Sequence, residues 1–203
     1  MTQTIIDEEH LGRVHPRLAR LMTAAMRALH KEDRALKKAF ESCPSKSMVV
    51  SNKGLGYWLF ESTLVYMIFK AWLPHGEVAW EAAYKNSRKK ADLKVKVRGE
   101  TWVIEAKWWP NTQKKTMKSL HSDINKMQKL HRERRFLLTF WISPCRAWST
   151  ERPEVENIGM EGVALRYIGR FRTDMERTRG KGGGSNFALA LFEVGAPRSE
   201  GDA

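Results

Sequence analysis

The stretch Asp92-Leu93-Lys94-Val95-Lys96-Val97-Arg98-Gly99-Glu100-Thr101-Trp102-Val103-Ile104-Glu105-Ala106-Lys107 decides how this chain is read. Two strand-like runs flank Arg98-Gly99, which suits a two-residue hairpin loop with Val97 facing Glu100. Counting back along both strands sets Asp92 directly opposite Glu105, 13 residues later. Directly opposed residues share a sheet face, and Lys107 shares it because strand side chains alternate. Two carboxylates and an ammonium therefore converge. Adjacent acids repel unless a divalent cation or a proton lies between them, so the pattern predicts a metal-dependent hydrolytic site. The competing reading is an exposed acid pair balanced by Lys94 and Lys107, and the surrounding elements decide between the two.

Upstream, residues 16–42 read as an amphipathic helix. Leu18, Met22, Ala25, Leu29, Leu36 and Phe40 recur at helical spacing, and Pro16 suits the first turn. A second helix, about Gly54 to Trp72, is apolar nearly all round and closes at Pro74-His75-Gly76. Val78 to Tyr84 is strand-like and leads through a basic turn into the hairpin, whose second strand stops at Trp109-Pro110. A third helix spans about Gln113 to Arg134, with Met117, Leu120, Ile124, Met127 and Leu130 as its buried stripe. Phe136 to Ile142 then reads as a strand buried on both faces. The order from residue 54 to 143 is helix, strand, strand, strand, helix, strand.

Asp92, Glu105 and Lys107 in this order of elements, with Glu61 on the preceding helix, resemble the PD-(D/E)xK nuclease superfamily, also called the restriction-endonuclease-like fold. Ala91 stands where the family motif has proline. The resemblance implies an α/β protein with an αβββαβ core on a mixed central sheet, here with an added N-terminal helix and extra C-terminal strands. It implies Asp92, Glu105 and the carbonyl of Ala106 as ligands of Mg²⁺ or Mn²⁺, with Glu61 as a direct or water-mediated ligand. Hard divalent cations of this kind need only one or two carboxylates besides water and substrate phosphate. Lys107 would stabilise developing charge or help orient and deprotonate the water. The activity implied is phosphodiester hydrolysis, on DNA before RNA and at internal positions, leaving a 5′-phosphate. The alternative is a non-catalytic nucleic-acid-binding module, or a partner-dependent subunit of a defence, recombination or mobile-element system.

Composition bears on partners. The chain has 203 residues, 42 % of them hydrophobic, and 36 basic against 23 acidic residues give a formal charge of +13. Such a balance points to polyanions, most simply nucleic acid phosphates. Lys85, Arg88, Lys89 and Lys90 ahead of the hairpin, and Lys118, Lys126 and Lys129 on the third helix, are the candidate phosphate contacts. Trp108 and Trp109 could offer a stacking face for unpaired bases, but core packing is the expected use for at least one of them.

Cys43 and Cys145 form no Cys-x-x-Cys unit and suggest a reducing, cytoplasmic setting. The acidic start, Asp7-Glu8-Glu9, is no secretory signal. Leu55 to Leu73 is apolar enough to raise a membrane question, but Glu61 inside it would cost about 2.5–3.5 kcal/mol on insertion scales. A buried helix and no membrane partner are expected.

Val163 to Phe171 and Phe187 to Val194 read as further strands, paired along the sheet edge. The segment from Arg172 through Gly182-Gly183-Gly184-Ser185 lacks phosphate-loop spacing and reads as a mobile basic loop. The six histidines show no ligand spacing, and Gln128 is followed by Arg132 where an exonuclease-like Gln-x-x-x-Tyr signature needs Tyr. Residues 1–195 are expected to form one domain, with 196–203 a disordered tail and a homodimer or partner subunit left open.

Overall fold

The computed structural model describes residues 6–11, 14–42, 59–84, 90–109, 114–130, 133–144, 158, 160–173 and 185–195. Its centre is a seven-stranded mixed sheet. The strands are β1 (Ile6–His10), β2 (Glu77–Ala83), β3 (Lys90–Val97), β4 (Glu100–Trp108), β5 (Arg134–Pro144), β6 (Val163–Arg172) and β7 (Ser185–Val194), in the spatial order β1-β6-β7-β5-β4-β3-β2. All neighbours run antiparallel except β4 and β5, which are parallel. A parallel pair needs a crossover, and the helix α3 (Lys114–Gln128) provides it. The other helices are α1 (Pro16–Glu41) and α2 (Glu61–Trp72).

The hairpin follows its sequence. Arg98 and Gly99 both take positive φ, 47° and 87°, as a two-residue hairpin loop of the twisted kind demands, and Val97 pairs with Glu100. Alternation then sorts the side chains. Leu93, Val95, Val97, Trp102, Ile104 and Ala106 turn toward one face, where Leu18, Met22 and Leu29 of α1 and Leu64 and Ile68 of α2 complete the larger core. On the other face Leu120, Ile124 and Met127 of α3 pack against Leu137, Trp141, Ala188, Ala190 and Phe192. Burying both faces of the central strands is what a parallel pair requires.

Several expectations change. The helix that ends at Trp72 begins at Glu61, and the expected start near Gly54 falls outside the described residues. Leu59 is not helical, and Phe60 is extended (φ −73°, ψ 158°) at the helix start. An apolar run without polar punctuation carries no boundary, whereas a carboxylate in the first turn is favoured by the helix dipole. Glu61 therefore opens α2 instead of interrupting it. The third helix ends at Gln128, six residues before the expected Arg134. Arg135 explains the stop, because its Nη1 donates to the carbonyls of Met127, Gln128 and Leu130 at 2.7–3.3 Å.

The C-terminal strands pair as expected, yet not along the edge. β7 lies between β6 and β5, buried at nearly every position. The edge position belongs to β1, which no hydrophobic pattern announced. Its acids are used: Asp7 accepts from Arg170 Nε at 3.0 Å, and Glu8 accepts from Thr23 Oγ1 at 3.0 Å. Among the described residues no helix is long and apolar enough to cross a membrane. The glycine-rich segment 182–184 and the tail from 196 lie outside the described residues.

Candidate active site

Ladder pairing between β3 and β4 runs from Val97↔Glu100 to Leu93↔Ile104. At the next rung Asp92 turns its carboxylate onto the partner strand, and Asp92 Oδ2 accepts the Ala106 N–H at 2.7 Å. Glu105, 5 % exposed, faces α3 beside it. Lys107 follows on the same face. The predicted trio of Asp92, Glu105 and Lys107 is thus together in space, and Ala106 carries its backbone into the same spot.

Glu61 reaches the cluster from the start of α2. Its Oε2 accepts the Trp108 N–H at 2.9 Å, and its Oε1 lies 3.6 Å from Lys107 Nζ. The partner that a half-buried acid requires is therefore the motif lysine itself.

Three participants were not foreseen in their roles. Asp123, the one acid in α3, places Oδ2 3.5 Å from Lys107 Nζ. Tyr84, buried just after β2, donates its hydroxyl to Glu105 Oε1. Lys126, expected on the phosphate-binding surface, instead turns inward, with Nζ 2.5 Å from Glu105 Oε1 and 4.6 Å from the Tyr84 ring centre. A solitary acid on a basic helix was the available signal for Asp123. Its spacing of three from Lys126 places the two on one helix face. Nothing in the sequence marks Tyr84.

Charge in this cluster is not balanced. Burial pushes the Asp92 carboxyl above its usual range, with the Ala106 N–H and Glu105 opposing and the Glu61 charge adding to the rise. Burial likewise raises Glu105, opposed by Lys126 and Tyr84 and reinforced by Asp92. Lys107 is pulled down by burial, but Glu61, Asp123 and Asp92 outweigh that and hold it above the ordinary lysine value. It is an ammonium at neutral pH. Tyr84 is held far above the normal phenol range by burial and its bond to Glu105, so it acts only as a donor. Four carboxylates (Glu61, Asp92, Glu105, Asp123) meet two ammonium groups in direct contact (Lys107, Lys126), with Lys94 nearby at 5.8 Å from the Tyr84 ring centre and bonded to the Ala83 carbonyl. Acids outnumber cations, an excess that a divalent cation would offset.

The donor chemistry therefore fits Mg²⁺ or Mn²⁺, which take carboxylate and carbonyl oxygens. Among the described residues, no three His, Cys, Asp or Glu side chains are grouped tightly enough to hold a metal as they stand. At Glu105, Lys126 and Tyr84 both donate to Oε1. Thr139, beside Lys107 in the β4–β5 register, is fully buried, and its hydroxyl has no hydrogen-bond partner among the described residues.

The expected phosphate contacts divide. Lys118 and Lys129 are exposed on α3, and Lys90 is exposed at the start of β3, 3.2 Å from Glu81. Lys85, Arg88 and Lys89 lie outside the described residues. The tryptophans are both packed: Trp108 sits edge-on to Phe140 and Phe187, and Trp109 stacks on Phe192. Gln128 donates to the Glu161 carbonyl at 3.0 Å, and His15 packs edge-on against Trp102. No protein-family model matches this sequence, and neither a curated protein nor a solved structure was found to match it.

Proposed function

We propose that this protein is a divalent-metal-dependent nuclease of the PD-(D/E)xK type, acting on DNA before RNA and cutting internal phosphodiester bonds. The observation that carries the reading is the convergence of Asp92, Glu105 and Lys107 with Glu61 at the end of β4. It lies on an antiparallel three-strand meander followed by α3 and a parallel strand, the order of elements that the resemblance implies.

Mg²⁺ or Mn²⁺ held by Asp92, Glu105 and the Ala106 carbonyl would supply Lewis-acid activation of water and phosphate. Glu61, Asp123 and Asp92 hold Lys107 as an ammonium in the metal-free site, placed to stabilise the negative charge that builds on the phosphoryl oxygens or to help orient and deprotonate the water. Glu61 and Asp123 flank its ammonium at 3.6 and 3.5 Å and fix where that charge points. Trp108 closes the end of the strand: its backbone N–H anchors Glu61 while its ring packs into the core.

A module that only bound nucleic acid would need the basic surface but not a cluster of half-buried acids around one lysine, and this favours chemistry over scaffold. The test is incubation of the purified protein with plasmid, single-stranded DNA and RNA in Mg²⁺ or Mn²⁺. Cleavage is expected from the wild type and not from Asp92→Ala or Lys107→Ala. Equal cleavage by all three proteins, or none by any, would overturn the proposal.

A further inference from the structure

We infer that Lys126 is a built-in placeholder for the cation: its ammonium holds Glu105 in the metal-free protein, is displaced when a divalent ion binds, and then serves the substrate phosphate. The inference rests on reading Asp92 and Glu105 as a divalent-cation site.

Glu105 is almost fully buried, and a buried carboxylate requires a compensating charge before any metal arrives. Lys126 provides it from α3 at 2.5 Å, on the same oxygen that accepts the Tyr84 hydroxyl. A divalent cation coordinated by Glu105 and an ammonium in contact with that oxygen would repel strongly in so poorly hydrated a place. One must leave. Lys107 is not the one to go, because Glu61 and Asp123 hold it and Glu105 does not.

Lys126 is free to move where Lys107 is not. It runs across the face of Tyr84 and its flexible stem lets the head swing toward solvent, whereas Lys107, similarly exposed, is held between Glu61 and Asp123. Lys118 and Lys129 of the same helix are exposed, so the released ammonium joins a surface already suited to phosphate. Phosphate binding would then draw Lys126 from Glu105 and ease metal entry. By linkage the metal must favour nucleic acid equally.

Two measurements on the full chain test this. In calorimetric titration with Mn²⁺, Lys126→Met should bind roughly tenfold tighter than the wild type, the effect of deleting one competing charge-assisted hydrogen bond. Lys129→Met removes the same formal charge from the exposed surface and should shift the dissociation constant less than about twofold. In the wild type, acylation of lysines read by mass spectrometry should show Lys126 becoming more reactive on Mn²⁺ addition while Lys118 does not change. This second readout stands even if Lys126→Met fails to fold.

Equal Mn²⁺ affinity for the wild type and Lys126→Met, or Lys126 reactivity unmoved by Mn²⁺, would overturn the placeholder and leave the cation site intact. Absence of Mn²⁺ binding to the wild type would overturn both.

Discussion

Asp92 and Glu105 carry more negative charge than a buried spot holds comfortably, and that makes them a stability liability as well as a candidate site. Burial raises both carboxyl pKa values above their unfolded values. An acid raised in this way contributes stability below its unfolded pKa, and the contribution is lost as pH rises through the folded value. At neutral pH the pair therefore weakens the metal-free fold. Asp92→Asn keeps an oxygen for the Ala106 N–H and should raise the metal-free melting temperature at pH 7 by about 2–4 °C. Adding Mg²⁺ should stabilise the wild type and leave the variant unmoved. Thermal melts with and without Mg²⁺ check both.

Lys107 gives a pH test of the opposite sign. Activity that needs its ammonium falls as pH rises through its pKa, which Glu61, Asp123 and Asp92 hold above the ordinary value against the pull of burial. Asp123→Asn should shift the alkaline limb of the rate profile to lower pH and leave the acidic limb in place. An unmoved alkaline limb would show that Lys107 does not act as a cation there. Much of this neighbourhood was legible in sequence, because a two-residue loop fixes register and register fixes which side chains meet. Lys126 was not, since a lysine on a basic helix gives no sign of turning inward. In sequence Glu61 looks like an acid inside an apolar helix, and only the fold puts it at the helix start.

At the scale of elements, the sheet is tied together away from the candidate site. Glu193 on β7 accepts from Arg134 of β5 at 2.6 Å and from Arg166 of β6 at 2.8 Å. Burial pushes its carboxyl up, but the two guanidiniums prevail and hold it below its usual range. A lowered pKa means stability that is present above the unfolded value and lost as pH falls through the folded one. Glu193→Gln should therefore cost about 2 kcal/mol at pH 7 and show a shallower decline on acidification from pH 5 to 3. Urea titrations at several pH values measure it.

This clamp depends on β7 lying between β5 and β6, which local patterning could not supply. Hydrophobic alternation marked β6 and β7 as strands, whereas their order in the sheet depends on long-range pairing. β1 escaped notice for a different reason. Its Asp7-Glu8-Glu9 run looks like a solvated terminus until Arg170 and Thr23 are brought against it. Helix ends are equally hidden in local pattern, because Arg135 stops α3 from beyond the periodic segment itself.

For the whole molecule, a charge of +13 and the exposed lysines of α3 predict binding to nucleic acid that weakens steeply with salt. The double variant Lys118→Ala, Lys129→Ala should bind every sequence more weakly by a similar factor and lower the salt-dependence slope by about 2. Sequence-selective loss would show that these lysines touch bases instead of phosphates. Fluorescence anisotropy across a salt series distinguishes the two. The general character of the molecule, an α/β protein on a mixed sheet with an excess of basic residues, is readable from the chain, as is core packing for at least one of Trp108 and Trp109; the inward turn of Lys126 is not.

The most direct measurement is mapping of the cation position. Fe²⁺ in place of Mg²⁺, with ascorbate and peroxide, releases hydroxyl radicals that cut the backbone beside the bound ion. The account predicts cuts next to Asp92 and between Glu105 and Lys107, suppressed by excess Mg²⁺ and absent in Asp92→Ala. No cutting, or cutting elsewhere that persists in Asp92→Ala, would contradict a cation site at the end of β4.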